Sequence, residues 1–120
     1  MVRDSGLDNL LELDGSILDQ GDGYWVKIEA RLVMVTEARP HGIKYSLSLH
    51  EPFGERIMGF DNAHGVKAVG KGKYAGRRVI YDHKHTGVQD KGSPYEFSTA
   101  YQLVEDFWKD VDKILKQYMH

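Results

Sequence analysis

Residues 43–50 read Ile-Lys-Tyr-Ser-Leu-Ser-Leu-His, and this strict alternation of apolar and polar side chains decides the fold. Successive side chains of a β-strand point to opposite faces of its sheet, so the pattern predicts a half-buried strand. The polar face would carry Lys44, Ser46, Ser48 and His50. The buried face would carry Ile43, Tyr45, Leu47 and Leu49.

Similar alternation extends to both sides of this stretch. Residues 24–35 predict a longer strand, and the turn residues 39–42 (RPHG) separate it from residues 43–50. A reverse turn at 51–54 (EPFG) leads into a strand at about 55–61. Shorter strands are expected at 17–18, 77–84 and 94–97. The expected buried side chains of the longer strand are Tyr24, Val26, Ile28, Ala30, Leu32 and Met34.

A C-terminal helix is predicted to about residue 117. Ser98 or Thr99 caps it, and Gln102 follows Thr99 at the spacing of a capping box. Its apolar face would be Val104, Phe107, Trp108, Val111, Leu115 and Tyr118. The fold class is therefore α+β, with an antiparallel β-meander of five or six strands and the C-terminal helix packed on one face. Residues 1–120 are expected to form one domain.

Composition excludes several classes of protein. The 120 residues are 41% hydrophobic and 28% charged, and no apolar run approaches the ~20 residues of a membrane span. The chain has no cysteine, which excludes disulfides, cysteine nucleophiles and thiolate metal sites. No basic region followed by an apolar stretch begins the sequence, so a cytoplasmic protein without a membrane partner is expected.

The net charge of −2 is unevenly distributed. Residues 65–81 carry five cations and no acid, so the remainder of the chain sums to −7. Four glycines in residues 65–76 indicate a flexible basic loop that could embrace a nucleic-acid backbone. The predicted nucleic-acid-binding residues are Lys44, Lys67, Lys71, Lys73, Arg77 and Arg78.

Two polar clusters stand at predicted strand ends, residues 60–64 (FDNAH) and 81–85 (YDHKH). Histidine titrates near neutral pH, so His83 and His85 could act as base and acid in phosphodiester cleavage without a metal. The 2′-hydroxyl of RNA would be the nucleophile, and Lys44, Arg77 or Arg78 would stabilise the transition-state charge. The candidate catalytic residues are His83, His85, Tyr81, Asp82, His64 and Asp61.

Other roles for these residues remain open. A divalent metal could instead be bound by His64, His83 and His85, with Asp61 or Asp82 as a carboxylate ligand. No specific ligand spacing supports this alternative. No other cofactor is expected. The histidines could also be purely structural. The domain would then be a non-enzymatic module that binds a protein by strand addition, or a nucleic-acid binder without chemistry.

Seven segments, in order, resemble the TumE-type toxin family of prokaryotic toxin–antitoxin modules. They are 11–15 (LELDG), 23–27 (GYWVK), 39–47 (RPHGIKYSL), 59–64 (GFDNAH), 81–85 (YDHKH), 94–97 (PYEF) and 103–108 (LVEDFW). The resemblance implies a toxin that arrests growth and is neutralised by a small helix-turn-helix antitoxin. It implies no catalytic residues. RNA as the target is a hypothesis from the residues above, and open sheet edges would also allow a homodimer.

Overall fold

A computed structural model describes residues 5–37, 39–62, 66–67, 79–80, 82–87 and 93–119. Two helices and eight strands lie in these ranges. In chain order they are α1 (Ser5–Glu12), β1 (Ile17–Gly21), β2 (Tyr24–Leu32), β3 (Ile43–His50), β4 (Arg56–Asp61), β5 (Val66–Lys67), β6 (Val79–Ile80), β7 (His83–Thr86), β8 (Ser93–Pro94) and α2 (Ala100–Tyr118).

Six of the strands form one antiparallel sheet in the order β1-β2-β3-β4-β7-β8. Strands β5 and β6 pair separately between β4 and β7 in the chain. Strand β3 begins and ends where the alternation of residues 43–50 predicts. The expected α+β meander with a helix on one face is therefore confirmed, with one small hairpin inserted in it.

The core lies between one face of the sheet and the two helices. All four expected apolar residues of β3 are buried, as are Val26, Ile28 and Ala30 of β2. From α2, the ring of Phe107 meets the ring of Phe60 edge to face, with their centroids 5.8 Å apart. We call the side of the sheet that carries these residues the core face and the opposite side the polar face.

Helix α2 begins as the capping residues predict. Thr99 has an extended backbone, and its hydroxyl accepts a hydrogen bond from the backbone N–H of Gln102. The Gln102 side chain accepts in return from the backbone N–H of Ser98, at 2.8 Å. The buried residues of α2 differ from the expected set, since Tyr118 is exposed; they are Ala100, Leu103, Phe107, Val111 and Ile114.

Several strand boundaries differ from the sequence-based expectation. The strand expected at 77–84 is divided between β6 and β7, which belong to different sheets. The predicted strand at 94–97 is shifted, since β8 covers only Ser93–Pro94. Part of the expected basic loop is strand β5. At the far end of β2, Leu32 and Met34 are 64% and 85% exposed, so burial on its apolar side ends at Ala30.

Candidate functional site

The polar face brings together residues from three neighbouring strands. In the register of β3 with β4, Ser46 lies opposite Asp61 and Ser48 lies opposite Gly59. In the register of β4 with β7, Gly59 lies opposite His85. Because alternate residues share a face, Ser46, Ser48, Asp61 and His85 belong to one side of the sheet. This side is opposite to that of Phe60 and the helices.

A direct side-chain contact joins two of the predicted catalytic residues on this face. Nε2 of His85 lies 3.2 Å from Oδ2 of Asp61. The contact runs diagonally across strands β4 and β7, since the residue directly opposite Asp61 is His83. Both side chains are buried, with 8% of His85 and 10% of Asp61 exposed. A carboxylate in this position fixes the orientation of the imidazole through a hydrogen bond.

A third side chain, Arg56, reaches the same carboxylate and was missed by the sequence reasoning. Its Nη1 lies 3.7 Å from Oδ2 of Asp61. The side chain crosses Gly59, where an added Cβ would lie 3.2 Å from Cδ of Arg56. A β-bulge between Leu49 and His50 shifts the register beside Arg56. The available signal was Gly59, because a glycine within a strand marks a close approach by a neighbour.

A second carboxylate pair lies on the core face. The hydroxyl of Tyr45 donates a 2.7 Å hydrogen bond to Oδ1 of Asp82, and both residues are buried. Burial raises the pKa of Tyr45 well above its ordinary value of 10, and the negative charge of Asp82 raises it further. Tyr45 is therefore a hydroxyl donor at any physiological pH. Asp82 is one of the predicted catalytic residues. Its carboxylate contacts Tyr45 on the core face, whereas the Asp61–His85 pair lies on the polar face.

Asn62 stabilises the end of the sheet where the Asp61–His85 pair and the Tyr45–Asp82 pair lie. Its side-chain oxygen accepts from the backbone N–H of Tyr45, and its side-chain nitrogen donates to the carbonyl of Ile43 at 2.7 Å. The amide thus continues the hydrogen-bond ladder of β3 and β4 by one step. Arg39 donates to the carbonyl of Asn62 at 3.2 Å, tying the β2–β3 loop to the same point. These bonds fix the chain directly after Asp61, and they also hold Tyr45, the partner of Asp82.

Of the predicted nucleic-acid-binding residues, Lys44 is placed on the polar face, where it lies opposite Arg31 of β2. The backbone of Lys67 lies in β5 and that of His83 in β7. The remaining predicted site residues lie outside the described part of the chain: His64, Tyr81, Lys71, Lys73, Arg77 and Arg78.

The metal alternative depends on residues that the structure does not describe fully. Within the described ranges, no group of three or more histidine, aspartate and glutamate side chains is close enough to hold a metal ion. The structure does not describe the side chains of two of the three expected ligands, His64 and His83. A divalent metal at His64, His83 and His85 therefore remains a prediction.

Two other histidines contact aromatic rings. His50 stacks on Trp25 with ring centroids 4.0 Å apart, and its Nε2 lies 2.9 Å from the Ser48 hydroxyl. His41 stacks on Phe97 at 4.2 Å. Both have packing partners, whereas His85 has a buried carboxylate. These contacts single out His85 as the histidine with an acid–base arrangement among the described residues.

Comparison with known proteins confirms the family resemblance seen in the sequence. Residues 11–115 match the family model described as Toxin TumE. No curated protein and no solved structure matches the chain. In the described residues, neither helix has the length and apolar character needed to cross a bilayer. Since the match covers nearly all 120 residues, the chain belongs to the TumE toxin family.

Proposed function

We propose that this toxin arrests growth by cleaving RNA on the polar face of its sheet, without a metal, and that a helix-turn-helix antitoxin neutralises it. The observation that carries the proposal is the 3.2 Å pair between His85 Nε2 and Asp61 Oδ2. It places an imidazole against a buried carboxylate that holds it in position. Asp61 is the positioning residue and His85 the catalytic residue.

The chemistry needs no protein nucleophile. The 2′-hydroxyl of RNA attacks the adjacent phosphorus and the bond to the 5′-oxygen breaks, leaving a 2′,3′-cyclic phosphate and a 5′-hydroxyl. Histidine removes the proton of the attacking hydroxyl, or protonates the departing oxygen, and His83 is the proposed partner of His85 in this exchange. Arg78 is the proposed cation for the charge that develops on the phosphate, and Lys44 is a proposed contact to the RNA backbone.

Burial of the pair sets a condition on substrate binding. Only 8% of the His85 side chain is exposed, so side chains packed over it would have to move aside when RNA binds. The buried setting also strengthens the interaction of the imidazole with Asp61, because the effective dielectric constant is lower than in water. A shielded acid–base group suits a toxin that must act on selected RNA rather than on every strand it meets.

The test is induction of the toxin in cells, followed by sequencing of RNA 5′ ends. Growth arrest together with new 5′-hydroxyl ends is expected, and the double variant His83→Ala/His85→Ala should lose both. Its melting temperature should stay within a few degrees of wild type. The purified toxin should retain cleavage in EDTA. Full toxicity of a folded double variant would contradict the proposal, and loss of cleavage in EDTA would support the metal alternative.

An alternative function is non-enzymatic binding of a protein by strand addition. Strand β1 lies at one edge of the six-stranded sheet, and Ile17 on it is 66% exposed. An open edge offers backbone groups to an incoming strand from a target protein, the antitoxin or a second copy of the chain. Capture of one cellular protein with all RNA left intact would favour this alternative. Replacing Asp19 of β1 with proline should then abolish capture.

A further inference from the structure

A cavity on the polar face lies beside the Asp61–His85 pair. Its volume is about 320 Å³, and its lining includes Glu29 and Arg31 of β2 together with Lys44 and Ser46 of β3. Ser46 also lies directly opposite Asp61 in the register of β3 with β4. The cavity is therefore separated from the carboxylate of the proposed site by a single strand.

Two cations lie opposite each other in this cavity, and among the described residues neither forms an ion pair. Arg31 and Lys44 are direct partners in the antiparallel register of β2 and β3, on the same face. Like charges directly opposite each other destabilise a sheet. Among the described residues, neither lies within 4.0 Å of a carboxylate oxygen. The arrangement is thus unfavourable for the sheet alone and becomes favourable when an anion binds between the two cations.

The carboxylates of the cavity are engaged elsewhere. Glu29 pairs with Lys27, with Oε1 and Nζ 3.0 Å apart. Oδ1 of Asp14 accepts a 2.9 Å hydrogen bond from the backbone N–H of Ala30. Both acids therefore bond to groups other than Arg31 and Lys44. The lining of the cavity therefore includes two cations without an ion pair among the described residues and two acids that bond to other groups.

We propose that this cavity is a subsite for one RNA phosphodiester next to the bond that is cleaved. A guanidinium can bind two phosphate oxygens at once and an ammonium adds a point charge, so Arg31 and Lys44 together suit a single phosphate. Ser46 and Glu29 add acceptors for hydroxyl or amino groups of the nucleoside. This inference rests on the proposed function, because that function identifies the anion as part of RNA.

Salt dependence of RNA binding tests the subsite. We would measure fluorescence anisotropy of a single-stranded 2′-O-methyl RNA, which lacks the hydroxyl needed for cleavage, with wild type and the variant Arg31→Gln/Lys44→Gln. For single strands, each phosphate contact contributes about 0.7 to the slope of log K against log salt. Because the two cations bind one phosphate, the double variant should lose about 0.7 from that slope. The matched control Lys113→Gln, an exposed residue of α2, should keep the wild-type slope.

The outcomes separate this inference from the proposed function. Wild type that binds and cleaves RNA, with an unchanged slope in the double variant, would overturn the subsite and leave the proposed function intact. Wild type that neither binds nor cleaves RNA would overturn both. A reduced slope together with slower cleavage in the double variant, but not in Lys113→Gln, is the supporting result.

Thermal unfolding gives an independent test that does not depend on catalysis. Removing one of two opposed cations relieves repulsion, so Arg31→Gln should melt about 1–4 °C higher than wild type without ligand. The 2′-O-methyl RNA should raise the melting temperature of wild type more than that of the double variant. Inorganic phosphate lacks the nucleoside groups and should raise it less at equal phosphate concentration. An equal effect of RNA on wild type and double variant would contradict the subsite.

Discussion

Asp61 and Asp82 are buried carboxylates at the same end of the sheet, but they lie on opposite faces and have different partners. Asp82 accepts a hydrogen bond from the hydroxyl of Tyr45, which is protonated at neutral pH and whose pKa is raised further by burial. Asp61 meets the imidazole of His85, the proposed catalytic residue. The two carboxylates therefore have different partners, a tyrosine hydroxyl on the core face and an imidazole on the polar face.

Breaking the pair on the core face should have the largest effect on stability. Tyr45→Phe removes the hydroxyl and leaves the Asp82 carboxylate buried without it, so the free energy of unfolding should fall by about 2–3 kcal/mol. Urea unfolding followed by tryptophan fluorescence measures this loss. RNA cleavage per folded molecule should be unchanged. An unchanged free energy of unfolding would mean that other groups supply the hydrogen bonds of Asp82, and it would contradict the structural role assigned to Tyr45.

Breaking the pair on the polar face should act on catalysis. Asp61→Asn keeps the size of the side chain but removes the charge next to His85, so kcat for RNA cleavage should fall about 10- to 100-fold. KM should change little, because Asp61 is proposed to contact His85 rather than RNA. Steady-state kinetics on a short RNA separates the two constants. A raised KM with unchanged kcat would show that Asp61 acts in binding.

The contribution of the Tyr45–Asp82 pair to stability should be lost at alkaline pH. The pKa of Tyr45 is raised in the folded protein, so its contribution to stability is complete below pH 10 and is lost as the pH rises above that value. The expected loss is up to about 1.4 kcal/mol for each pH unit above 10. Melting curves of wild type should show this decline, and Tyr45→Phe should show a shallower one.

Tyr95 contributes a second, smaller part of that decline. Burial raises its pKa, and so does the hydrogen bond from its hydroxyl to Asp106. Some slope should therefore persist in Tyr45→Phe. The exposed Tyr101 provides the matched control, and Tyr101→Phe should reproduce the wild-type curve. Identical slopes in wild type and Tyr45→Phe would contradict the assignment of Tyr45.

The smallest effect is expected at Lys84, which precedes His85 in the chain but lies on the core face. Its Nζ is 3.7 Å from Oδ2 of Asp110 of α2, and both side chains are partly exposed. Lys84→Gln should cost about 0.2–1 kcal/mol of stability, measured by urea unfolding, and leave cleavage unchanged. A large loss of cleavage would mean that the two faces are not functionally separate.

The alternation of residues 43–50 was sufficient to predict the bounds of β3 and the faces of its side chains. It could not reveal the Tyr45–Asp82 hydrogen bond, which joins residues 37 positions apart. The burial of Leu32 was overestimated for a related reason. Alternation reports which side of a strand is apolar, whereas burial depends on how far the covering helices extend.

The site was partly predictable. His85 and Asp61 were expected from their chemistry and their places at strand ends, and the register of β4 with β7 explains how they meet. Arg56 was missed because its approach to Asp61 depends on a bulge and on the absence of a side chain at Gly59. A local irregularity of this kind leaves no periodic pattern in the sequence.

The most direct test of the central claim is single-turnover cleavage of RNA by two purified variants, each with its melting curve. His85→Gln keeps a hydrogen-bond donor for Asp61 but cannot exchange a proton at neutral pH. It should remain folded and lose about 10²- to 10⁴-fold in rate. Tyr45→Phe should melt at a lower temperature yet cleave at the wild-type rate while folded. Wild-type cleavage by folded His85→Gln would contradict the account.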